Sequence, residues 1–379
     1  MVRYRNTWAQ IDLGAIRHNV ERLNRLLPEG RRIMGVVKAD GYGHGSVEVA
    51  KTLIASGIDH LMVAYLEEAI KLREHGIELP ILVIGRIPPK YVNVAVRHQI
   101  TLAVFQPEWI EEALKQEIDG TLEIHVEFET GFNRTGICSV EALRELVNAV
   151  KRSNNKIKIT GAYTHFATAD EIDSPHYNRQ KKQYEKMLHE LEQLYDRRII
   201  THIGNSAAGI QYPKQMRQYT RFGISLYGLY PSSQIKALRQ VDLQEAFSLH
   251  SELIEVKRIE PGEYIGYGIT YKAKKEEWIG TVPIGYADGW PRALQGFHVL
   301  IDGKRHEIVG RICMDMLMVK LDQPYPVGEK VTLIGKNKGE KITVDDIATY
   351  LNTINYEVPC MITSRVPREY INKEVKKTS

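Results

Sequence analysis

The sequence predicts a (β/α)8 barrel over residues 1–241, followed by a mostly β-stranded domain over residues 242–379. Three observations lead to this α/β fold class. Eight short apolar runs precede residue 240, most are separated from the next by one helical pattern, and a series of closely spaced short strands follows. Strands that alternate with helices are typical of a parallel sheet, and eight is the number of strands at which such a sheet closes. An open, doubly wound sheet is the alternative.

The predicted barrel strands are short runs of mostly aliphatic residues. They comprise residues 33–37, 61–64, 81–84, 101–105, 122–128, 159–166, 201–204 and 218–222. Between them, apolar residues recur at intervals of three and four, as in Leu143, Leu146, Val147 and Val150. This spacing places apolar side chains on one face of a helix, so the intervals are predicted to hold amphipathic helices.

The C-terminal region is predicted to be mostly β, with one helix near residues 344–351. Its predicted strands are residues 248–258, 278–284, 298–301, 307–309, 317–321 and 330–334. Asp302 and Gly303 separate two of these strands, and an Asp-Gly pair is typical of a two-residue hairpin turn.

Composition and charge exclude several classes of protein. The 379 residues carry 51 Lys and Arg against 47 Asp and Glu, with the two signs interspersed, which argues against a nucleic-acid or membrane surface. Cys138, Cys313 and Cys360 form no C-x-x-C spacing, so neither a disulfide framework nor a zinc site is indicated. The start of the chain lacks an apolar signal region, and its apolar runs are too short to span a membrane. We therefore expect a cytoplasmic protein.

Chemically active residues of a parallel barrel lie at the C-terminal ends of its strands. Lys38 directly follows the first predicted strand, where it is either an ion-paired residue of the rim or a lysine that forms a Schiff base. The glycines after it do not complete a dinucleotide-binding fingerprint, because Ser46 stands where the third glycine is required. His165 lies at the end of the sixth strand, but no second clustered histidine supports a metal site.

The loops after strands seven and eight suit a phosphate group, which barrels often bind there through backbone N–H groups. Ser206, Gly223 and Ile224 lie in these loops. A phosphate site together with a strand-end lysine indicates a phosphorylated carbonyl compound such as pyridoxal 5'-phosphate. From the residues alone, a phosphosugar aldolase stays open.

Several motifs resemble those of bacterial alanine racemases, in the same order and from about Thr7 to Arg368. They are VVKADGYGHG, YTHFATAD, RFGISLYGL, IGYGITY, PIGYADGW, VGRICMDM and TINYEVP. The resemblance implies a barrel, a C-terminal β domain and a head-to-tail homodimer whose active sites use both subunits. It also implies pyridoxal 5'-phosphate as cofactor and conversion of L-alanine to D-alanine for the bacterial cell wall.

The same resemblance implies roles for individual residues. Lys38 would hold the cofactor and act as a base on one face of the substrate, and Tyr267 of the partner subunit would act on the other face. Arg221 would meet the pyridine nitrogen, with His165 beside it. The phosphate would be bound by Tyr42, Ser206, Gly223, Ile224 and Tyr356. The substrate carboxylate would meet Arg134 and the backbone N–H of Met314, with Asp315 in a supporting role.

The chain departs from the family pattern at Glu127. The family commonly has a lysine there, which is carbamylated in many members. Glu127 carries the negative charge of a carbamate without modification, so we expect it to orient Arg134 in place of the modified lysine. A glutamate that merely faces solvent is the alternative.

Other activities stay compatible with the pattern. A racemase of similar design could act on serine or a broader set of amino acids. A barrel-type decarboxylase is less similar to the chain, and it typically places an acidic group where this chain has Arg221. A non-catalytic protein that binds pyridoxal phosphate would resemble the barrel alone, whereas this chain has a β domain with Tyr267 and Met314.

Overall fold

The computed structural model describes residues 4–373. Contacts divide the chain into two compact units. The barrel unit comprises Ala15–Gly41 and Ser46–Glu245, and the β unit comprises residues 1–14, 42–45 and 246–379 as far as they are described. The sequence places the boundary after residue 241. The N-terminal segment belongs to the β unit because its strand β1 (Thr7–Asp12) pairs with strands near residues 250 and 370.

Eight parallel strands form a closed barrel in the barrel unit. They are β2 (Arg32–Val36), β3 (His60–Val63), β4 (Ile81–Val83), β5 (Ile100–Val104), β6 (Leu122–Glu127), β7 (Ile157–Tyr163), β8 (Ile200–Gly204) and β9 (Tyr219–Phe222). The sheet closes because β9 pairs with β2, with Arg221 opposite Met34. The predicted barrel is therefore confirmed, and the open sheet is excluded.

Helices connect the barrel strands and cover them. Their bounds are Leu13–Leu26, Ser46–Ala55, Leu66–Glu74, Val92–Arg97, Pro107–Leu114, Val140–Arg152, Pro175–Leu194, Ser206–Gln211 and Ser233–Ala237. Helix Val140–Arg152 begins where the Ser139 side chain accepts a hydrogen bond from the backbone of Ala142, and its predicted apolar face is buried. Helix Pro175–Leu194 has 20 residues, but many of its side chains are charged. No helix within residues 4–373 is long and apolar enough to span a membrane.

The β unit is built on one large, mostly antiparallel sheet, which confirms the predicted β domain. Its further strands are β10 (Phe247–Glu252), β11 (Glu255–Ile259), β12 (Tyr264–Ile265), β13 (Tyr271–Lys272), β14 (Glu277–Val282), β15 (His298–Ile301), β16 (Lys304–Val309), β17 (Leu317–Leu321), β18 (Lys330–Asn337), β19 (Glu340–Ile342) and β20 (Arg368–Ile371). Its helices are Val344–Tyr350 and Glu357–Met361.

Two details of the β unit bear on the sequence predictions. The Asp302-Gly303 hairpin is confirmed, since both residues have positive φ (50° and 78°) between β15 and β16. The predicted strand 248–258 is instead two strands, β10 and β11. Strand β10 pairs with β1 and β18, whereas β11 pairs with β14. The chain must change direction between these two sets of partners, and this change breaks the predicted strand in two.

Candidate active site

Lys38 begins a backbone turn of unusual handedness. Val37 still bonds to β3 through Met62 (2.9 Å), and the turn Lys38–Tyr42 follows at once. Ala39, Asp40 and Gly41 all have left-handed dihedrals, with φ of 51°, 50° and 64°. Two consecutive non-glycine residues in this region are rare because the Cβ atom crowds the backbone. Lys38 is thus followed directly by a strained backbone turn, which persists only where specific contacts stabilise it.

Arg221 lies on β9 and is almost completely buried, with 4% of its surface exposed. Its guanidinium donates to the carbonyl oxygens of Thr164 (2.7 Å), His202 (2.6 Å) and Ile203 (3.3 Å). It also approaches ring nitrogens of His202 (3.1 Å) and His165 (3.3 Å). Burial lowers the pKa of Arg221 to about 10, which leaves it a cation at neutral pH.

The histidines beside Arg221 are neutral, and the arginine fixes their tautomers. Arginine only donates, so Nδ1 of His202 accepts, and its protonated Nε2 donates to Nδ1 of His125 at 2.9 Å. Burial lowers the pKa of His125 to about 3 and that of His202 well below its usual range. By the same argument His165 accepts at Nδ1 and carries its proton on Nε2, and burial likewise lowers its pKa. His125 and His202 are not among the residues predicted from the sequence, because their only signal is their position inside barrel strands.

Ser206, Gly223 and Ile224 come together in the loops after β8 and β9. The Ser206 hydroxyl accepts a hydrogen bond from the backbone N–H of Gly223 at 3.0 Å. A short helix begins at Ser206 after the cap residue Asn205, and a 3-10 helix begins at Ile224. Buried hydroxyl and backbone N–H donors at two adjacent helix starts suit a bound anion.

Glu127 and Arg134 lie near each other in the chain but differ in environment. Glu127 is 4% exposed, which excludes a residue that faces solvent, and it accepts a hydrogen bond from the Thr135 hydroxyl at 3.0 Å. Burial raises the pKa of the Glu127 carboxyl. Arg134 is exposed, with its guanidinium 4.4 Å from the centre of the Phe132 ring. Within residues 4–373, no hydrogen bond or ion pair joins Glu127 to Arg134; the charge of Arg134 acts on the Glu127 carboxyl through space, and the hydrogen-bonded connection runs through Thr135, the residue next to Arg134.

In the β unit, Tyr42 and Tyr356 form a pair with ring centres 6.2 Å apart. Tyr42 is buried, and burial raises the pKa of its phenol. Gly43 beside it packs so closely that a Cβ atom would stand 2.1 Å from the Pro359 carbonyl oxygen. This close approach fixes Tyr42 against the segment that carries Tyr356.

Tyr267 lies on the loop that joins β12 to β13, a two-stranded hairpin outside the main sheet. Its flanking residues Gly266 and Gly268 have φ of 70° and 69°, and Ile269 has φ of 45°. Tyr267 is 72% exposed, and one surface cavity of the β unit is lined by Tyr267, Met314 and Asp315. Asp315 accepts a hydrogen bond from Arg365 at 2.6 Å. The structure therefore brings these three predicted residues together.

Family models match both parts of the chain. The model described as the alanine racemase N-terminal domain matches residues 11–231, and that of the alanine racemase C-terminal domain matches residues 246–370. The chain belongs to the alanine racemase family. The family membership predicted from the motifs is thereby confirmed for both parts of the chain. The protein is an enzyme of this racemase family.

Individual relatives of the family agree over almost the full length. The alanine racemase of Geobacillus stearothermophilus is 50% identical over 367 residues, covering 96% of this chain and 93% of that protein. The crystal structure of the alanine racemase from Bacillus anthracis with bound L-Ala-P has a TM-score of 0.95 and 41% identity, covering 98% of this chain and 96% of that one. The histidine racemase from Leuconostoc mesenteroides subsp. sake has a TM-score of 0.91 and 29% identity, covering 98% and 99%.

Proposed function

We propose that this enzyme interconverts L-alanine and D-alanine with pyridoxal 5'-phosphate as cofactor, and that it thereby supplies D-alanine for a bacterial cell wall. Family membership supports the reaction class. The observation that carries the proposal is a donor set at the C-terminal ends of the barrel strands. An amine-bearing residue, Lys38, follows β2, and buried cationic Arg221 lies on the paired strand β9. Ser206 and Gly223, which are hydrogen-bonded to each other, follow β8 and β9 and would bind an anion there.

The residues present fit the cofactor. Ser206 and the backbone N–H of Ile224 supply neutral donors of the kind that binds a phosphate dianion. Arg221 can only donate, so it suits a pyridine nitrogen that carries no proton. Lys38 is the residue that would bind the aldehyde covalently. When bound there, pyridoxal phosphate supplies an electron sink that makes the α-proton of an amino acid acidic.

Racemisation removes a proton from one face of the α-carbon and returns one to the opposite face, so it needs two acid–base groups. We propose that the amine of Lys38 serves one face and the phenol of Tyr267 serves the other. The exposed Tyr267 supports the idea that it acts in a second copy of the chain, in a homodimer with shared sites. Exposed apolar neighbours in the β unit strengthen this: they are Tyr264, Ile269, Met314 and Met316.

The substrate carboxylate is assigned to Arg134 and the backbone N–H of Met314, and the phosphate additionally to Tyr42 and Tyr356. The packing of Arg134 against Phe132 supports its part, since a stacked guanidinium loses little freedom when it binds a carboxylate. A racemase for another amino acid is the second candidate. The similarity to a protein named a histidine racemase favours it, because the same fold there bears the name of a larger substrate.

One experiment tests these functions together. Purified protein with pyridoxal phosphate is incubated in deuterated water with L-alanine, and separately with L-serine and L-histidine, while chirality and α-deuteration are followed. We expect L-alanine to lose its chirality with α-exchange fastest. Carbon dioxide release would indicate a decarboxylase, and cofactor absorbance without turnover would indicate a carrier. Borohydride reduction followed by peptide mapping must place the cofactor on Lys38, and a label at another residue would overturn the assignment.

A further inference from the structure

The turn after Lys38 is held by one helix of the barrel unit. Helix Leu66–Glu74 follows β3, the strand that pairs with β2. Its residue Glu68 is half-buried, and one carboxylate oxygen accepts a hydrogen bond from the backbone N–H of Ala39 at 2.6 Å. Ala39 is the first left-handed residue after Lys38. The contact therefore acts on the backbone directly beside the lysine.

The second oxygen of Glu68 binds the neighbouring loop. It accepts hydrogen bonds from the backbone N–H groups of Ala64 (2.7 Å) and Tyr65 (3.1 Å), which follow β3. A single carboxylate thus satisfies three backbone donors and connects the ends of two adjacent strands. Bonds of a charged acceptor to N–H groups are stronger than those between neutral groups.

Lys71, one helical turn beyond Glu68, holds the next residue of the turn. Its ammonium donates to Asp40 at 2.8 Å, and the same Asp40 oxygen accepts from the backbone (3.1 Å) and hydroxyl (3.0 Å) of Ser46. Ala39 and Asp40 both occupy the left-handed region, which is unfavourable for L-residues with a Cβ atom. Each of these two residues is therefore secured by a different charged side chain of the same helix.

We propose that Glu68 and Lys71 are positioning residues for Lys38. They keep the turn left-handed and so fix the direction from which the lysine amine reaches the α-carbon of the substrate. This inference rests on the proposed function, in which Lys38 acts on one face only. Neither residue is assigned contact with substrate or cofactor, so each acts through the backbone of the turn.

Glu68→Gln provides the main test, because glutamine has similar size but only one acceptor oxygen and adds an N–H donor. We expect kcat to fall by roughly 10- to 100-fold with little change in KM, since a small misplacement of a catalytic group slows the reaction without weakening binding. Glu67→Gln is the matched control, since Glu67 is exposed on the same helix. It should leave kcat and KM at the wild-type values.

Deuterium isotope effects separate positioning from a general structural role. With α-deuterated L-alanine and D-alanine, the variant should raise the isotope effect on kcat/KM for the enantiomer whose hydrogen Lys38 removes. For the other enantiomer the effect should fall towards one, because removal of that hydrogen is no longer the slow step. A purely structural defect would move both in the same direction, and that result would overturn the proposal.

A measurement without turnover distinguishes this inference from the proposed function. Hydrogen exchange followed by mass spectrometry should show faster exchange of the peptide with residues 38–42 in Glu68→Gln, and unchanged exchange in strand β5. Lys71→Met should give the same pattern with a smaller amplitude, and it serves if Glu68→Gln does not fold. Unchanged exchange in both variants refutes the positioning role of Glu68 and Lys71. A wild-type protein without racemisation refutes the proposed function, while the exchange result still decides whether Glu68 and Lys71 hold the turn.

Discussion

Two turns carry the two proposed bases, and they are held in different ways. The turn after Lys38 continues a barrel strand, and charged side chains bind it at the backbone N–H of Ala39 and at the Asp40 carboxylate. The turn with Tyr267 closes an isolated two-stranded hairpin, and such hairpins are only marginally stable by themselves. Lys38 is therefore positioned by contacts to the residues directly beside it, whereas the position of Tyr267 depends on how its whole hairpin is anchored.

The hairpin of Tyr267 is anchored by side chains of its second strand and by a small core. The Tyr271 hydroxyl donates to Glu277, whose other oxygen accepts from Lys320 at 2.6 Å. Ile265 packs in an apolar cluster with Ile279 of the main sheet. None of these contacts reaches the backbone of residues 266–269, so we expect this turn to be more easily displaced than the turn after Lys38.

The largest expected effect comes from removing the bases themselves. Tyr267→Phe should lower kcat by about 10²- to 10⁴-fold, the usual contribution of one acid–base group, while cofactor absorbance stays at the wild-type level. Lys38→Ala should lose both activity and the covalent cofactor. The measurements are racemisation by circular dichroism and the absorbance of the purified protein. Retention of a borohydride-trapped cofactor in Lys38→Ala would contradict the assignment.

Mixing these two inactive variants tests whether the bases come from different copies. In a dimer of one Lys38→Ala chain and one Tyr267→Phe chain, one site would combine an intact Lys38 with the intact Tyr267 of the other copy. After subunit exchange, a 1:1 mixture should recover about a quarter of wild-type activity, because about half of the dimers are mixed and each has one intact site. If both bases belonged to one chain, no activity would return.

The two units can also be compared by how their stability depends on pH, because each contains a buried histidine with a lowered pKa. Burial lowers the pKa of His125 in the barrel unit and of His250 in the β unit to about 3. Below pH 6.5 the unfolded chain binds a proton at each site and the folded chain does not, so acid favours unfolding. Each histidine should reduce the free energy of unfolding by about 2 kcal/mol between pH 7 and pH 5, and its contribution to the slope should vanish above about pH 8.

Urea unfolding at pH 7 and pH 5 checks this expectation. His125→Asn and His250→Asn should each reduce the difference in unfolding free energy between the two pH values by about 2 kcal/mol relative to wild type. A variant with the same difference as the wild-type protein would show that its histidine titrates equally in the folded and unfolded chains. The two variants report on the two units separately.

A smaller effect is expected from Gly268→Ala. Gly268 has φ of 69°, and a Cβ atom there would stand 2.8 Å from the Arg311 guanidinium. Because Gly268 directly follows Tyr267, the Arg311 guanidinium would have to move away from the turn or displace it, and we expect kcat to fall by about tenfold, the order found when a catalytic group is displaced slightly. Gly262→Ala is the control because Gly262 has φ of 95° with open space around it. If both variants lose activity equally, backbone strain rather than the contact with Arg311 is responsible.

Much of this architecture follows from local sequence patterns, and the rest depends on pairings between distant residues. The eight barrel strands and Lys38 after the first are visible because apolar runs and helical spacings alternate. Strand β1 cannot be recognised in this way, because the strands with which it pairs lie about 240 and 360 residues away in the sequence. Strands β12 and β13 have two residues each, too few to show alternation. Glu68 has a weak signal too, since its capping partner is Tyr65 rather than Ser or Thr.

The smallest expected effect concerns Glu127. Unlike the carboxylates of Glu68 and Asp40, which accept hydrogen bonds from backbone N–H groups, its carboxylate accepts one from the hydroxyl of Thr135. We propose that it orients Arg134 through Thr135. Glu127→Gln keeps an acceptor for the Thr135 hydroxyl, so kcat should stay within about twofold and KM for alanine should rise by about threefold, as expected for weakened ground-state binding. Thr135→Val removes the link itself and should raise KM at least as much. Unchanged KM in both variants would return Glu127 to a purely structural role and leave Arg134 fixed by its contact with Phe132 alone.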